Sequence, residues 1–389
     1  MLMRKPTIIS LFSGALGLDL GLEKAGFKTV VAVENNKHAC ETIRLNRKDI
    51  KVIERDIHQV STQAILEAAN LKVGEATIVS GGPSCQTFST AGSRNSFNDP
   101  RGGLFREFLR IVREARPRFF VMENVPGMLS AAIRHRPLKE RGPGFPPLHP
   151  DEELGSALRL ILEELKKTGY YVVFDVLSAA DFGVPQTRER VIFIGSRDGE
   201  LIAIPKPSHS EYKLEAKKRW VTLEKAIRNL NDDQPEFVQL PPKSKKYLVD
   251  VPEGGNWKDL SPQKQSEAMG KAYNSWGGRV GFFRRLSWNK PSPSLTTSPI
   301  SKATMLCHPT ELRPLSVKEY TRIQQFPKSW KFAGSTAQKY MQIGNAVPIG
   351  LGKAIGAVIN HMSETADADD THFFTRANIP VTQWCGYVF

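Results

Sequence analysis

Residues 80–89 read Ser-Gly-Gly-Pro-Ser-Cys-Gln-Thr-Phe-Ser and place one cysteine, Cys85, just beyond an apolar run, Ala76 to Val79, that predicts a buried strand. A thiol there is a candidate nucleophile, because ligands and catalytic groups gather outside the carboxyl ends of strands in an open α/β sheet. The turn suits that use. Gly81 and Gly82 tolerate backbone angles and close approaches that other residues resist, and Pro83 fixes its own φ and stiffens the exit from the strand. Taken alone, a strand-end cysteine is more often a small core hydrophobe. The residues around it carry the argument.

Two further clusters supply partners for a thiol. Phe119-Phe-Val-Met-Glu-Asn-Val-Pro126 puts Glu123 and Asn124 at the end of another predicted strand, and Gln186-Thr-Arg-Glu-Arg190 sets Arg188 and Arg190 just before a third. A carboxyl and a guanidinium aimed into the same crevice as a thiol make an acid and an electrostatic clamp; without the cysteine they would read as a structural ion pair. The first predicted strand opens into Phe12-Ser-Gly-Ala-Leu-Gly-Leu-Asp19, a glycine-bearing turn entering a helix, where a cofactor can approach the backbone. Gly14, Gly17 and Gly21 do not spell Gly-x-Gly-x-x-Gly, so a dinucleotide fingerprint is absent and a nucleoside cofactor without pyrophosphate fits better. Glu34 ends the second strand, where it can accept from ribose hydroxyls, and Asp56 follows the next apolar segment, within reach of an adenine amine.

The elements that must position these groups are short apolar or β-branched runs alternating with helical patterns. Thr7–Leu11, Thr29–Glu34, Ala76–Val79, Arg118–Met122, Tyr171–Val176 and Val191–Gly195 predict the strands of a doubly wound, mostly parallel α/β sheet. After Gly103, the apolar face Leu104, Phe105, Phe108, Leu109, Ile111 and Val112 predicts a helix, with Arg106, Arg110 and Arg113 on its solvated side. Residues 131–153 read as a Pro-rich basic surface insert, and Gly350–Ile359 as a helix. Glu364–Asp370 reads as an acidic linker, followed by an aromatic tail.

Composition narrows the class. The 389 residues carry a net charge of +14, and the stretch from Lys206 to Lys290 holds seventeen Lys and Arg against ten Asp and Glu, half of that excess. Such a basic, irregular stretch with Trp220, Trp257 and Trp276 is an electrostatic footprint for nucleic acid. No apolar run approaches the roughly 18 residues of a membrane span, and the start leads straight into a strand, so the expected location is the cytoplasm. Cys40, Cys85, Cys307 and Cys385 form no Cys-x-x-Cys pair, which argues against a zinc site and for free thiols in a reducing compartment.

The ordered set Phe-Ser-Gly-x-x-Gly, Glu34, Asp56, Gly-Gly-Pro-Ser-Cys-Gln-x-Phe-Ser, Glu-Asn-Val, Gln-x-Arg-x-Arg and Gln342-Ile-Gly-Asn-Ala-Val-Pro348 resembles the DNA (cytosine-5) methyltransferases of bacterial restriction-modification or Dcm-like type. The resemblance implies S-adenosylmethionine as cofactor, lined by Phe12, Ser13, Gly14, Gly17, Glu34, Asn35, Asp56, Ile57, Pro83, Asn345 and Val347. It makes Cys85 the nucleophile, Glu123 the holder of the cytosine ring nitrogen and amine, and Arg188 and Arg190 the supports of the thiol and the base carbonyl. Gln86, Ser89, Arg101 and Asn124 become substrate contacts, Gln86–Arg101 forming the family's mobile loop. The implied organisation is a catalytic domain 1–195, a target-recognition domain 196–283, a C-terminal segment 284–362 returning to the catalytic domain, and a linker and tail 363–389. Double-stranded DNA and a cognate restriction endonuclease are the implied partners of a monomer in a bacterial cytoplasm. Ser84 stands where the family commonly has a second Pro, which loosens the turn before Cys85 but removes no reacting group, and Leu16 stands where a Gly is common, which puts the tightness of the cofactor turn in question. A tRNA cytosine-5 methyltransferase of the same fold and a catalytically silent DNA-binding regulator are the alternative readings.

Overall fold

Seven strands build the central sheet: β1 Thr7–Leu11, β2 Lys28–Glu34, β3 Lys51–Glu54, β4 Ile78–Gly81, β5 Phe119–Asn124, β6 Tyr171–Ser178 and β7 Glu189–Ser196. Their order is β3-β2-β1-β4-β5-β7-β6. All pairs are parallel except those of β7, which runs antiparallel between β5 and β6. The link from Ser178 to Glu189 is too short for a helical crossover, so β7 must reverse direction. The computed structural model describes residues 5–83, 103–200, 202–212, 218–274 and 280–365. Cys85, Gln86, Ser89, Arg101 and Trp276 lie outside the described residues, as does the chain from 366 onward.

Both faces of the sheet are covered, and the two-residue period of the strands decides which side chain goes where. Ile9, Val79, Phe120, Met122 and Phe193 face α3 (Thr62–Ala69), α4 (Gly103–Ala115) and α5 (Ser156–Lys166). Their neighbours Ile8, Ile78, Phe119, Val121 and Ile194 face α1 (Gly17–Lys24) and the long C-terminal helix α8 (Ile349–Thr365). A third core joins Leu16 and Ala32, together with Ile43 of α2 (Lys37–Asn46), to Tyr320 of α6 (Val317–Ile323) and Tyr340 of α7 (Thr336–Asn345). The C-terminal segment thereby rejoins the sheet. Helix α8 extends to Thr365, so Glu364 belongs to it rather than to a linker.

Helices α1 and α8 approach through glycine. A Cβ on Gly21 would lie 2.5 Å from the Ile349 carbonyl oxygen and 2.6 Å from Gly352 Cα, and one on Gly352 would lie 2.6 Å from the Leu18 oxygen. Gly21→Ala is therefore expected to destabilise the fold by about 1–3 kcal/mol through overpacking. Thermal unfolding checks this, and an unchanged Tm would contradict the contact.

Between the sheet and α6 the basic region folds irregularly. Its first part packs on the main body: Leu223 and Ile227 enter the third core, and Ile202 enters the face covered by α8. A separate small core begins at Leu240 and includes Tyr247, Leu248, Phe283, Met305 and Cys307. Arg285, buried, fastens this unit by donating to the carbonyls of Leu248, Val251, His308 and Glu311 at 2.8–3.1 Å. The 131–153 insert is held by Arg136, which donates to the Pro146 carbonyl and the Glu152 carboxylate, while Leu138 at its tip is 79% exposed.

Candidate active site

Where β1, β2, β4 and β5 end, a cavity of about 820 Å³ opens. Every described residue expected at the site lines it: Phe12, Ser13, Gly14, Gly17, Glu34, Asn35, Asp56, Ile57, Pro83, Glu123, Asn124, Arg188, Arg190, Asn345 and Val347. Such a volume takes a nucleoside-sized ligand with room for a second group.

At one end the turn after β1 alternates into the left-handed region, with φ of 52° at Phe12, 50° at Gly14 and 66° at Leu16. Leu16 adopts the angle that a glycine would take more cheaply and is fully buried in return, so the turn closes despite the substitution. Gly17 lines the cavity and meets a packing constraint as well. Its Cβ would meet the Val347 carbonyl oxygen at 2.4 Å, so it lets the α1 N-terminus seat against the Ala346–Val347 turn.

Glu34 braces that turn. Its Oε2 accepts from Gly14 N at 2.7 Å, and its Oε1 accepts from Asn35 N at 3.0 Å and Asn36 N at 2.8 Å. A carboxylate offers about four acceptor sites, so one ribose hydroxyl fits directly and a second requires release of the longer Asn35 bond. Asp56 uses one oxygen on His58, at 3.0 Å to N and 2.7 Å to Nδ1. Among the described residues its other oxygen makes no hydrogen bond, and Asp56 lines the cavity beside Ile57. Sequence periodicity placed Arg110 on a solvated face, and the structure corrects this: it donates to the Ile57 and Val60 carbonyls at 3.3 and 2.9 Å and is paired with Glu107. Arg110 fixes the Asp56 turn against α4.

At the other end stands a compact ionic pair. Arg190 Nε lies 2.6 Å from Glu123 Oε1, each side chain 13% exposed. The Nε–H is not directed at a protein acceptor, so this contact is ionic rather than a well-aligned hydrogen bond. Arg188 is fully enclosed and donates to the Leu295 and Gly344 carbonyls at 2.9 and 2.8 Å. Burial pushes its pKa down, Arg190 adds to that and Glu123 opposes it. Gln186 completes the clamp by accepting from Leu295 N at 2.9 Å and donating to Gln324, which in turn donates to the Ile343 and Ala346 carbonyls. Residues 186–188 thus tie the 294–297 and 343–347 segments together at the cavity wall. No sequence signal had marked Ser294 to Thr297.

The approach to Cys85 is set by β4. Strand pairing continues through Ser80 and Gly81, two residues beyond the expected end, so only Gly82 and Pro83 begin the turn. Gly81 serves close packing, since a Cβ there would meet the Leu11 oxygen at 2.7 Å. Asn124 donates to the Pro83 carbonyl at 3.0 Å and is buried, which anchors the turn. A Cβ on Gly82 would lie 2.6 Å from Glu123 Oε2. Gly82→Ala is expected to displace that carboxylate and cut any reaction depending on it by on the order of tenfold to 100-fold, with little change in Tm. Parallel rate and unfolding measurements check this; a full rate would show that the Glu123 position is not critical.

Two thiols lie among the described residues, and both are in the core. Cys40 and Cys307 are fully buried, and burial pushes their pKa values up to about 12 and about 11. One carboxylate in the cavity wall escaped the sequence reading altogether. Asp19, 3% exposed, accepts from Ser10 Oγ at 2.8 Å and Ser80 Oγ at 2.7 Å.

The type II methyltransferase M.PspPI of Psychrobacter sp. is 40% identical over 374 residues, covering 94% of this chain and 82% of the relative. M.Sau96I of Staphylococcus aureus, also a type II methyltransferase, is 39% identical over 363 residues, covering 91% and 75%. In fold, the chain is similar to a protein assigned as a DNA modification methyltransferase of an E. coli prophage, with a TM-score of 0.62, 23% identity and coverage of 92% and 99%. It is also similar to Spodoptera frugiperda DNMT2, at 0.58, 18%, 91% and 99%. The C-5 cytosine-specific DNA methylase family matches residues 6–361, and the chain belongs to that family.

Proposed function

We propose that the chain transfers a methyl group from S-adenosylmethionine to carbon 5 of a cytosine flipped out of a specific duplex DNA sequence, through a covalent adduct to Cys85. The observation that carries the reading is a single cavity joining the Glu34–Asp56 end to the Glu123–Arg190 pair, with Pro83, two positions before Cys85 in the sequence, in its lining. The residues fit the cofactor: the free Asp56 oxygen suits an amine, Glu34 retains acceptor capacity, and Phe12 and Ile57 supply apolar wall. When bound, the cofactor supplies an electrophilic methyl group.

Everything else falls to side chains of the protein. Cytosine carbon 5 is a poor nucleophile, and thiolate addition at carbon 6 converts the ring to an enamine that attacks through carbon 5. The free thiol has a pKa of about 8.5, so a nearby guanidinium is needed to favour the anion. Arg188 is committed to two carbonyls, which leaves Arg190 to serve the thiol or the base carbonyl and makes Arg188 a positioning residue. Glu123 holds the ring nitrogen and amine and disperses the charge that addition creates. Loss of the carbon 5 proton and of the thiol then releases the product.

The base must leave the stack for this, at a cost of a few kcal/mol that phosphate contacts offset. The basic region provides them, and residues 196–283, which contribute Leu240, Tyr247, Leu248 and Phe283 to a separate small core, are the unit proposed for target recognition. Exchanging residues 206–284 for those of a relative with another specificity is expected to redirect methylation to that relative's site, read by sequencing of methylated DNA. An unchanged site would refute the assignment. The type II names of the relatives support a cognate endonuclease, and a monomer suffices for one flipped base. Among the described residues no helix is long and apolar enough to cross a membrane.

Incubation with methyl-labelled S-adenosylmethionine and either unmethylated duplex DNA or tRNA tests the reading, with identification of the product base. Label in DNA as 5-methylcytosine is the expected result. Label in tRNA alone would move the chain to the RNA enzymes, and none in either would leave a silent regulator.

A further inference from the structure

Asp19 is the one cavity carboxylate with no part in the reaction described above. It sits in the first turn of α1, and its two oxygens accept from Ser10 on β1 and Ser80 on β4, residues that are direct partners in the strand register. Both serines stand one residue before their strands end, so the carboxylate lies across two adjacent strands at the cavity wall. The order of the sheet fixes what must pass over it. Glu34 ends β2 and Glu123 lies near the end of β5, with β1 and β4 between them, a span of roughly 14 Å at the usual strand spacing. A nucleoside whose ribose rests at Glu34, and whose methyl group must reach a base held at Glu123, has to lay its sulfur across β1 and β4.

We propose that Asp19 is the counter-ion of the cofactor sulfonium, its carboxylate facing the positive charge that the methyl donor carries and the product lacks. The proposal rests on the use of S-adenosylmethionine inferred above. During transfer the carbon–sulfur bond breaks with its electron pair remaining on sulfur, which becomes a neutral thioether, while the methyl group bonds to the base. The attraction to Asp19 is lost in that step, so the same residue favours donor over product in the cavity and eases product release.

The surroundings are consistent with a carboxylate waiting for a cation. Ser10 and Ser80 are the groups that face it from β1 and β4. Glu23 lies further along α1, with Lys24 in the last turn, and α8 carries Lys353 and His361, both exposed. Across the cavity stand Glu34, Asp56, Glu123 and the arginines 188 and 190. Burial raises the Asp19 pKa to about 6; the two serine bonds oppose that rise and Glu23 adds to it. No cation among these groups lowers it, so ionised Asp19 is held at a disadvantage that a positive ligand relieves.

Calorimetric titration of the full chain tests this with S-adenosylmethionine and S-adenosylhomocysteine. Asp19→Asn is expected to weaken the donor by on the order of tenfold and the product by less than about twofold. Equal weakening of both ligands, or of neither, would overturn the proposal. A second measurement needs no variant. At pH 6, in buffers of different ionisation enthalpy, binding of the donor to the wild-type chain should release more protons than binding of the product, since a positive ligand favours the ionised form of a carboxyl whose pKa burial raises to about 6. Equal proton release for the two ligands would also overturn it. A wild-type chain that binds neither would instead refute the cofactor reading itself.

Discussion

Cys85→Ala is expected to reduce methyl transfer by on the order of 10⁴-fold or more, to background, while cofactor affinity stays within about twofold. The asymmetry follows from the architecture. The cofactor end is built on β1, β2 and the Asp56 turn, whose bonds from Gly14, Asn35 and Asn36 to Glu34 do not involve residue 85. Transfer cannot bypass the thiol, because without addition at carbon 6 the base offers no nucleophilic carbon. The two cysteines among the described residues offer no substitute, as Cys40 and Cys307 are sealed in the core with thiols that burial holds protonated at neutral pH. Retained turnover in the variant, measured with labelled cofactor, would remove Cys85 from the mechanism.

The second large effect is expected at Glu123. Glu123→Gln preserves size and one carbonyl acceptor but removes the charge that balances Arg190 at 2.6 Å. It also removes the group able to share a proton with the ring nitrogen as the thiol adds. The rate should fall by on the order of 100-fold or more. The loss should appear in kcat rather than in cofactor KM, since the pair lies at the opposite end of the cavity from Glu34. A near-wild-type kcat would show that the Glu123–Arg190 pair is merely structural, the reading that the ion pair taken alone would favour.

The groups that such experiments address were legible in the sequence because each sits at a strand end flagged by its own turn chemistry. Glu34, Glu123 and the Gly-Gly-Pro turn follow short β-branched or apolar runs, and the sheet needed only to assemble them in order. What sequence periodicity could not show is pairing between distant segments. Asp19 read as one more residue of an N-terminal turn, and its meaning appears only when the register brings Ser10 beside Ser80. Arg110 lay off the apolar face of α4 and therefore looked solvated, yet its length lets it reach carbonyls of the Asp56 turn. The glycines of α1 also meet the backbone of 347–352: Gly17 lines the cavity and packs on Val347, and Gly21 packs on Ile349 and Gly352. β3 was short and half exposed, which left it without a clear two-residue pattern. The reversal of β7 depended on the length of a link rather than on any residue type.

The most direct test of covalent catalysis is to present duplex DNA in which 5-fluorocytosine replaces the target cytosine, together with S-adenosylmethionine, and to map any attached peptide. Fluorine at carbon 5 cannot depart as a proton does, so the adduct formed by thiol addition and methylation has no route to release. The account predicts a denaturation-resistant, methylated protein–DNA complex whose attached peptide contains Cys85. A chain that methylates ordinary DNA yet forms no complex with the fluorinated site, or attaches through another residue, would contradict it.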